Sequence, residues 1–188
     1  MQALQKLYEQ LQTDALSNGI THRLVFGEGS LHAKILLIGE APGAQEELQG
    51  RPFVGKAGKN LDGFLQTLGL QRQELYISNM VKIRPSKISP AGNVVNRPPN
   101  KYEIAFFKPY LMQEIALVQP QWIVTLGNTA LSVFGNFNIG EVHGKLLQVQ
   151  EHRLFPLYHP AAIIYNRSLQ ATYAEDLLAL KMKLKENL

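Results

Sequence analysis

The sequence predicts an α/β layered domain with a mostly parallel sheet. Four short runs are apolar without alternation: Ile35–Ile38, Leu75–Ile77, Trp122–Leu126 and Leu154–Tyr158. Runs that are apolar on both faces suit parallel strands covered on both sides. The stretches between them carry apolar residues at helical spacing, and alternation of strand with helix implies crossover connections. The chain has 188 residues, of which 45% are hydrophobic and 18% charged. That is enough to bury one core, so residues 1–188 read as a single domain.

Each element has its own signal. Leu4, Leu7, Tyr8 and Leu11 mark an amphipathic first helix. The first strand, Ile35–Ile38, runs into Gly39-Glu40-Ala41-Pro42-Gly43. Leu61, Phe64, Leu65 and Leu68 mark a helix that Gly69 stops. The second strand, Leu75–Ile77, ends in Ser78-Asn79. From Arg84 to Pro99 the chain holds Pro85, Pro90, Gly92, Pro98 and Pro99, which predicts a long loop, and loops of that length are often functional. Asn100 and Glu103 have the spacing of a capping box. They open a helix marked by Ile104, Phe107, Leu111, Ile115 and Val118, in which Pro109 predicts a kink. The third strand, Trp122–Leu126, leads through Gly127-Asn128 into a short helix. In the fourth run, Pro156 points to an edge position or an irregularity. Leu177, Leu180 and Leu184 mark the last helix.

Composition removes several function classes. Cysteine is absent, which excludes disulfides, thiolate zinc sites, cysteine nucleophiles and cysteine-ligated iron–sulfur clusters. The histidines, at 22, 32, 143, 152 and 159, are scattered without ligand spacing, so no metal site is expected. No apolar run approaches the roughly 18 residues of a membrane span. The stretch from Met1 to Gln12 is polar and helical, with no signal-peptide core. The expectation is a cytoplasmic protein with no membrane partner. The 19 Lys and Arg against 15 Asp and Glu give a net charge of +4, which permits a polyanionic partner without requiring one.

In open α/β sheets, ligands bind beyond the carboxyl ends of the strands. That edge collects the Gly39–Gly43 loop, the Glu40 carboxylate, the Asn79 carboxamide, Asn128 and His159. A carboxamide reads an amide-like edge by paired donor and acceptor. An imidazole donates to a developing anion. A Gly/Pro loop offers backbone N–H groups at close approach. Phe53 suits stacking on a planar base and equally suits a place in the core. No Ser–His–acid arrangement is evident.

Taken with their spacing, these residues resemble a known family. Gly39–Gly43, the stretch Gly50-Arg51-Pro52-Phe53-Val54-Gly55-Lys56-Ala57-Gly58, Tyr76-Ile77-Ser78-Asn79, Lys82-Ile83-Arg84-Pro85 and His159-Pro160-Ala161 look like the motif set of the uracil-DNA glycosylase superfamily. The likeness is greatest to its family-four, thermophile-type branch, which Val25-Phe26-Gly27-Glu28-Gly29 also resembles, and it runs from about residue 10 to 180. It implies a three-layer α/β/α sandwich around a central four-stranded parallel sheet. It also implies hydrolysis of the N-glycosidic bond of deoxyuridine in DNA, after the nucleotide is flipped into a pocket.

The resemblance also implies roles. Phe53 stacks on the uracil, Asn79 binds its polar edge, and His159 stabilises the departing base. Glu40 and the backbone of Ala41 bind base and water. Glu46 walls the pocket where thymine carries its methyl group. The best-known branch has a water-orienting aspartate where Ala41 stands, so here Glu40 is the candidate for activating water. Ile163, Ile164 and Tyr165 read as a wedge into DNA or as an ordinary turn. Many relatives have an arginine near position 165, and here Arg167 follows close behind. Lys82, Arg84 and Lys87 read as phosphate-tracking or as solvated charge, and Asn128 joins the residues expected to meet DNA.

One departure stands out. Family-four enzymes typically hold a [4Fe–4S] cluster by four cysteines, and counting from neighbouring motifs puts Gln12, Ala15, Ile83 and Phe106 at those places. No cofactor is therefore expected, and a small hydrophobic cluster is expected in its stead. The partner is uracil-containing DNA, and a monomer is the usual state of one compact repair domain. The excision is expected to be monofunctional, because no lysine occupies a motif position from which to attack the sugar. The alternatives are a glycosylase for hypoxanthine or xanthine, a non-catalytic nucleic-acid-binding module, and a small-molecule nucleotide enzyme. The last ranks lowest because the loop is neither a Gly-x-Gly-x-x-Gly nor a Walker sequence.

Overall fold

A computed structural model of the chain describes residues 1–187. Helix α1 (Gln2–Ser17) precedes a two-residue strand β1 (Glu28–Gly29) and the first long strand β2 (Ile35–Gly39). Helices α2 (Ala44–Gln49) and α3 (Lys56–Leu68) lead to β3 (Leu75–Asn79). A hairpin follows, β4 (Ser86–Ile88) and β5 (Val94–Asn96), then α4 (Lys101–Val118), β6 (Trp122–Leu126), α5 (Gly127–Leu131) and α6 (Ile139–Val142). Strands β7 (Leu147–Val149) and β8 (His152–Leu157) precede α7 (Pro160–Tyr165) and α8 (Leu169–Asn187).

The sheet is mixed and has six strands in the order β1-β3-β2-β6-β8-β7. Strands β3, β2, β6 and β8 pair in parallel and correspond to the four apolar runs. The expected four strands gain two short antiparallel ones at the edges, β1 beside β3 and β7 beside β8. These edge strands have two and three residues and no buried position, so they carry no apolar signal. Pro156 fits inside β8 because β7 pairs only as far as Leu154, so on that side the proline faces no partner strand.

Successive residues of a strand point to opposite faces, and the two cores follow that rule. Leu36, Ile38, Tyr76, Ile123 and Leu154 pack with Leu11, Ala15, Phe107, Leu111 and Ile115 of α1 and α4. Ile35, Leu37, Ile77, Trp122, Val124 and Phe155 pack on the other face with Leu61, Phe64, Leu177 and Leu180 of α3 and α8. The result is a layer of helices on each side of the sheet.

The Asn100–Glu103 capping box forms: Glu103 N–H donates to Asn100 Oδ1 at 2.8 Å, and Asn100 N–H to the Glu103 carboxylate at 2.7 Å. Helix α4 runs on through Pro109 to Val118. The stretch from Arg84 to Pro99 is not a plain loop but contains the β4–β5 hairpin, whose strands again have no buried residue.

The places counted for cluster cysteines have separate fates. Ala15 and Ile83 are buried in the first core, Phe106 packs against that core, and Gln12 is exposed. None of these residues is a thiol, so they do not fit a thiolate-held cluster. Helix α1 is fastened to α4 instead by a hydrogen bond from the Tyr110 hydroxyl to Asp14.

Candidate active site

The four parallel strands end on one edge. The chain goes from β2 to β3 on one side and then crosses to β6 on the other, which opens a crevice between the loops after β2 and β6. A cavity of about 560 Å³ lies there. It is lined by Glu40, Ala41, Glu46, Phe53, Asn79, His159 and Tyr165, all singled out in the sequence, and also by Gln45, Lys56 and Asn96, which were not.

A glycine makes the centre of this site possible. A Cβ on Gly39 would lie 2.4 Å from Asn79 Oδ1 and 2.5 Å from Phe53 Cζ, so only a bare α-carbon lets ring and carboxamide come together there. Phe53 is buried and sits at φ +54°, a conformation that costs a side-chain-bearing residue about 1–3 kcal/mol unless its surroundings hold it. Arg72 holds it, donating to the carbonyls of Phe53 (2.9 Å) and Pro52. Gly58 lets α3 approach the Phe53 carbonyl, where a Cβ would stand 2.0 Å away.

Asn79, the last residue of β3, is 3% exposed. Among the described residues no protein group hydrogen-bonds its carboxamide, and its side chain lines the cavity. Its backbone carbonyl is fixed from below by Lys82 Nζ at 2.8 Å.

His159 caps α7. Ala161 N–H donates to His159 Nδ1 at 3.1 Å, so in the neutral ring the proton sits on Nε2. Burial pushes the imidazole below its ordinary pKa, while the nearby Glu40 carboxylate pulls it partly back up. The site thus contains a neutral donor. Gly127 lies against it, at φ +84°, where a Cβ would stand 3.3 Å from His159 Cβ.

The two cavity carboxylates differ. Glu46 accepts N–H groups from Gly43 (3.1 Å), Val54 (3.0 Å) and Gly55 (2.7 Å), so it pins both motif loops. Glu40 accepts only the Thr129 hydroxyl, at 2.6 Å on Oε2, leaving Oε1 without a protein partner among the described residues.

The residues expected to meet DNA fall into two groups. On α7, Tyr165 is 90% exposed at the cavity mouth and Ile163 is half-buried. The side chain of Ile164 lies outside the described residues. Arg167 is exposed just beyond, and Lys87 is exposed on β4.

Lys82 is a correction: it is fully buried and cannot track phosphates. Its ammonium donates to Glu114 Oε2 (2.6 Å), Ser78 Oγ (2.6 Å) and the Asn79 carbonyl, which uses all three of its protons. Burial pushes its pKa down, and the Glu114 carboxylate opposes that. Ser78 and Tyr8 complete the shell of Glu114 at 2.8 and 2.6 Å. Arg84 is engaged with Asn96 (2.7 Å) and Glu47 (3.3 Å), and Asn128 accepts Ile139 N–H at 2.9 Å.

Sequence reasoning missed Arg72, Glu114 and Thr129, which act on the site from helices and turns outside the motifs. Nothing in their local pattern distinguishes them from surface residues. Lys56 and Asn96 were legible in principle, one inside a quoted motif and the other at the end of the long loop.

Among the described residues no group of His, Asp and Glu could hold a metal ion. Residues 26–181 match the family described as the uracil DNA glycosylase superfamily. The chain is 39% identical to a type-4 uracil-DNA glycosylase of Saccharolobus solfataricus, over 82% of this chain and 73% of that protein. It is 42% identical to one of Sulfurisphaera tokodaii, over 80% and 70%, and 34% identical to one of Pyrobaculum aerophilum, over 93% and 91%.

Proposed function

Because the chain belongs to the uracil DNA glycosylase superfamily, we propose that it excises uracil from DNA, leaving an abasic site. The observation that carries this reading is the meeting of an unpartnered Asn79 carboxamide and a neutral, Nε2-protonated His159 in one cavity floored by Phe53. Asn79 suits the O4 and N3–H edge of uracil, one acceptor beside one donor. Phe53 covers the ring face. As the C1′–N1 bond breaks, its electron pair passes to the base, and His159 Nε2–H meets the charge that gathers on O2. One such donor is worth about 3–4 kcal/mol. Water adds to C1′ and gives its proton to Glu40, whose free oxygen is available while Thr129 holds the other.

Glu46 shapes the wall near C5 through the loops it pins, and the Ala41 backbone borders the base. Tyr165, with Ile163, fills the gap left by the flipped nucleotide, and Arg167 stands near the phosphates. Lys56, exposed at the lip, suits a phosphate contact. No cofactor takes part, and the strand is not nicked. We place it as a monomer in the cytoplasm; no helix among the described residues is long and apolar enough to cross a membrane.

The test is single-turnover excision on oligonucleotides carrying uracil, hypoxanthine or xanthine, single-stranded and paired. Uracil release that drops at least a hundredfold in both Asn79→Ala and His159→Ala is the expected result. Release of another base alone would change the substrate and keep the chemistry. Binding without release of any base would replace the enzyme with a nucleic-acid-binding module.

A further inference from the structure

The β4–β5 hairpin has no role in the cavity chemistry, yet it begins at the cavity's edge. Asn96, the last residue of β5, lines the cavity, and Arg84 ties the hairpin base to it through Asn96 and to α2 through Glu47. Arg97 closes the same base by donating to the Ser86 carbonyl at 3.1 Å.

Beyond that clamp the ribbon stands free. Neither strand has a buried residue. Ile88 and Val94 face each other directly across the ladder and are 66% and 53% exposed. A two-stranded ribbon is marginal on its own in water, and an exposed aliphatic pair at its outer end contributes no core. Residues 84–99 contain no acidic residue; Arg84 and Arg97 are paired with Glu47 and Glu103, which leaves Lys87 exposed on the ribbon as the cation suited to a polyanion.

We propose that this hairpin is a second DNA-gripping element that engages duplex flanking the flipped nucleotide. The proposal rests on the reading of the cavity as a uracil-excision site. From Asn96 to Gly92 the hairpin reaches out by roughly 13 Å, more than the roughly 8.5 Å depth of the major groove, which is wide enough to admit a two-stranded ribbon. Ile88 and Val94 then lie against the apolar edges of sugars or bases, and Lys87 meets a phosphate. The exposed Tyr165 lines the same cavity as Asn96. The duplex is held at two places, by α7 at the gap and by the hairpin on the flank. A single strand offers no groove, so it gains nothing from the aliphatic pair.

The experiment compares the wild-type chain with Ile88→Thr/Val94→Thr, which keeps β-branched residues in both strands while removing the apolar contact. Lys87→Glu is the second variant. Single-turnover excision and equilibrium binding are measured on single-stranded and paired uracil oligonucleotides, with melting temperature as the folding control. The double variant should lose about tenfold on duplex, in rate at limiting enzyme and in affinity, and less than twofold on single strand. Lys87→Glu should lower the salt slope of duplex binding by about one. Unchanged duplex behaviour, or equal losses on both substrates, overturns the proposal; the first would leave the pair to a protein partner. If the wild type releases no base, the excision reading fails, while the duplex-binding arm still decides the hairpin.

Discussion

The floor and the mouth of the cavity are built on opposite principles. On the floor, Phe53 and Asn79 are buried and held by something behind them. Gly39 admits Phe53 and Asn79, Arg72 holds the Phe53 backbone, and the Lys82–Glu114 pair fixes the Asn79 carbonyl. At the mouth, Tyr165, Lys87, Ile88 and Val94 are exposed and make few contacts of their own. A small planar base calls for groups placed before it arrives, since preorganised dipoles cost no reorganisation during reaction. A duplex brings its own shape, so the surface that receives it can stay open until it binds. The predictions below test this division from its strongest member to its weakest.

The largest effect belongs beneath the floor. Lys82→Ala leaves Glu114 buried without its cation and should cost about 3–5 kcal/mol of stability, read by denaturant unfolding. Lys82→Met with Glu114→Leu removes both charges and should recover much of that loss. The double variant should still excise more slowly than wild type, because the Asn79 carbonyl has lost its anchor. Full activity there would mean that Asn79 needs no support from below.

The two carboxylates divide next. Glu40→Gln should slow single-turnover excision by about a hundredfold or more with little change in melting, a loss of the size expected for a positioned acid or base. Glu46→Gln should do the reverse. An amide turned toward three backbone N–H groups leaves at least one unpaired, at about 1–3 kcal/mol of stability. Equal effects on rate and stability in both variants would erase the distinction drawn from their hydrogen bonds.

His159 supplies the pH dependence. Its folded pKa lies below the unfolded value of about 6.5, so between the two the unfolded chain binds more protons. Its contribution to stability is therefore full above about pH 6.5 and is lost as pH falls toward the folded value. Excision should hold steady as pH drops through 6.5 and decline only below it. In Glu40→Gln the residual rate should decline at still lower pH, since the carboxylate that raises the His159 pKa is gone. A decline centred at or above 6.5 would show the ring charged where the donor role needs it neutral.

The same division governs what the sequence reveals. The floor was legible because Gly39, Phe53, Asn79 and His159 stand at the ends of apolar runs or in motifs with fixed spacing, and the parallel strands bring those ends together. Lys82 was misread for a physical reason: a lysine two residues before an arginine looks like surface, and its partner Glu114 is 32 residues away on α4. The edge strands β1 and β7 and the hairpin were invisible because strands with no buried residue carry no hydrophobic period. The basic residues around Arg84 were legible as charge but not as structure, since only the folded hairpin separates the tied Arg84 from the free-standing Lys87.

The weakest member is Tyr165. It is 90% exposed, so Tyr165→Ala should leave the melting temperature within experimental error, as surface substitutions away from special features usually do. The wedge role we propose for it begins only when a nucleotide has left the stack. The variant should therefore excise from duplex a few-fold more slowly and from single strand at the wild-type rate, where no gap has to be filled. A wedge also acts on the paired neighbours of the gap. The deficit should accordingly shrink when uracil faces a mismatched base, whose flipping already costs less. A uniform loss over matched, mismatched and single-stranded substrates would instead make Tyr165 a contact to the flipped nucleotide itself. It would then belong to the floor despite its exposure.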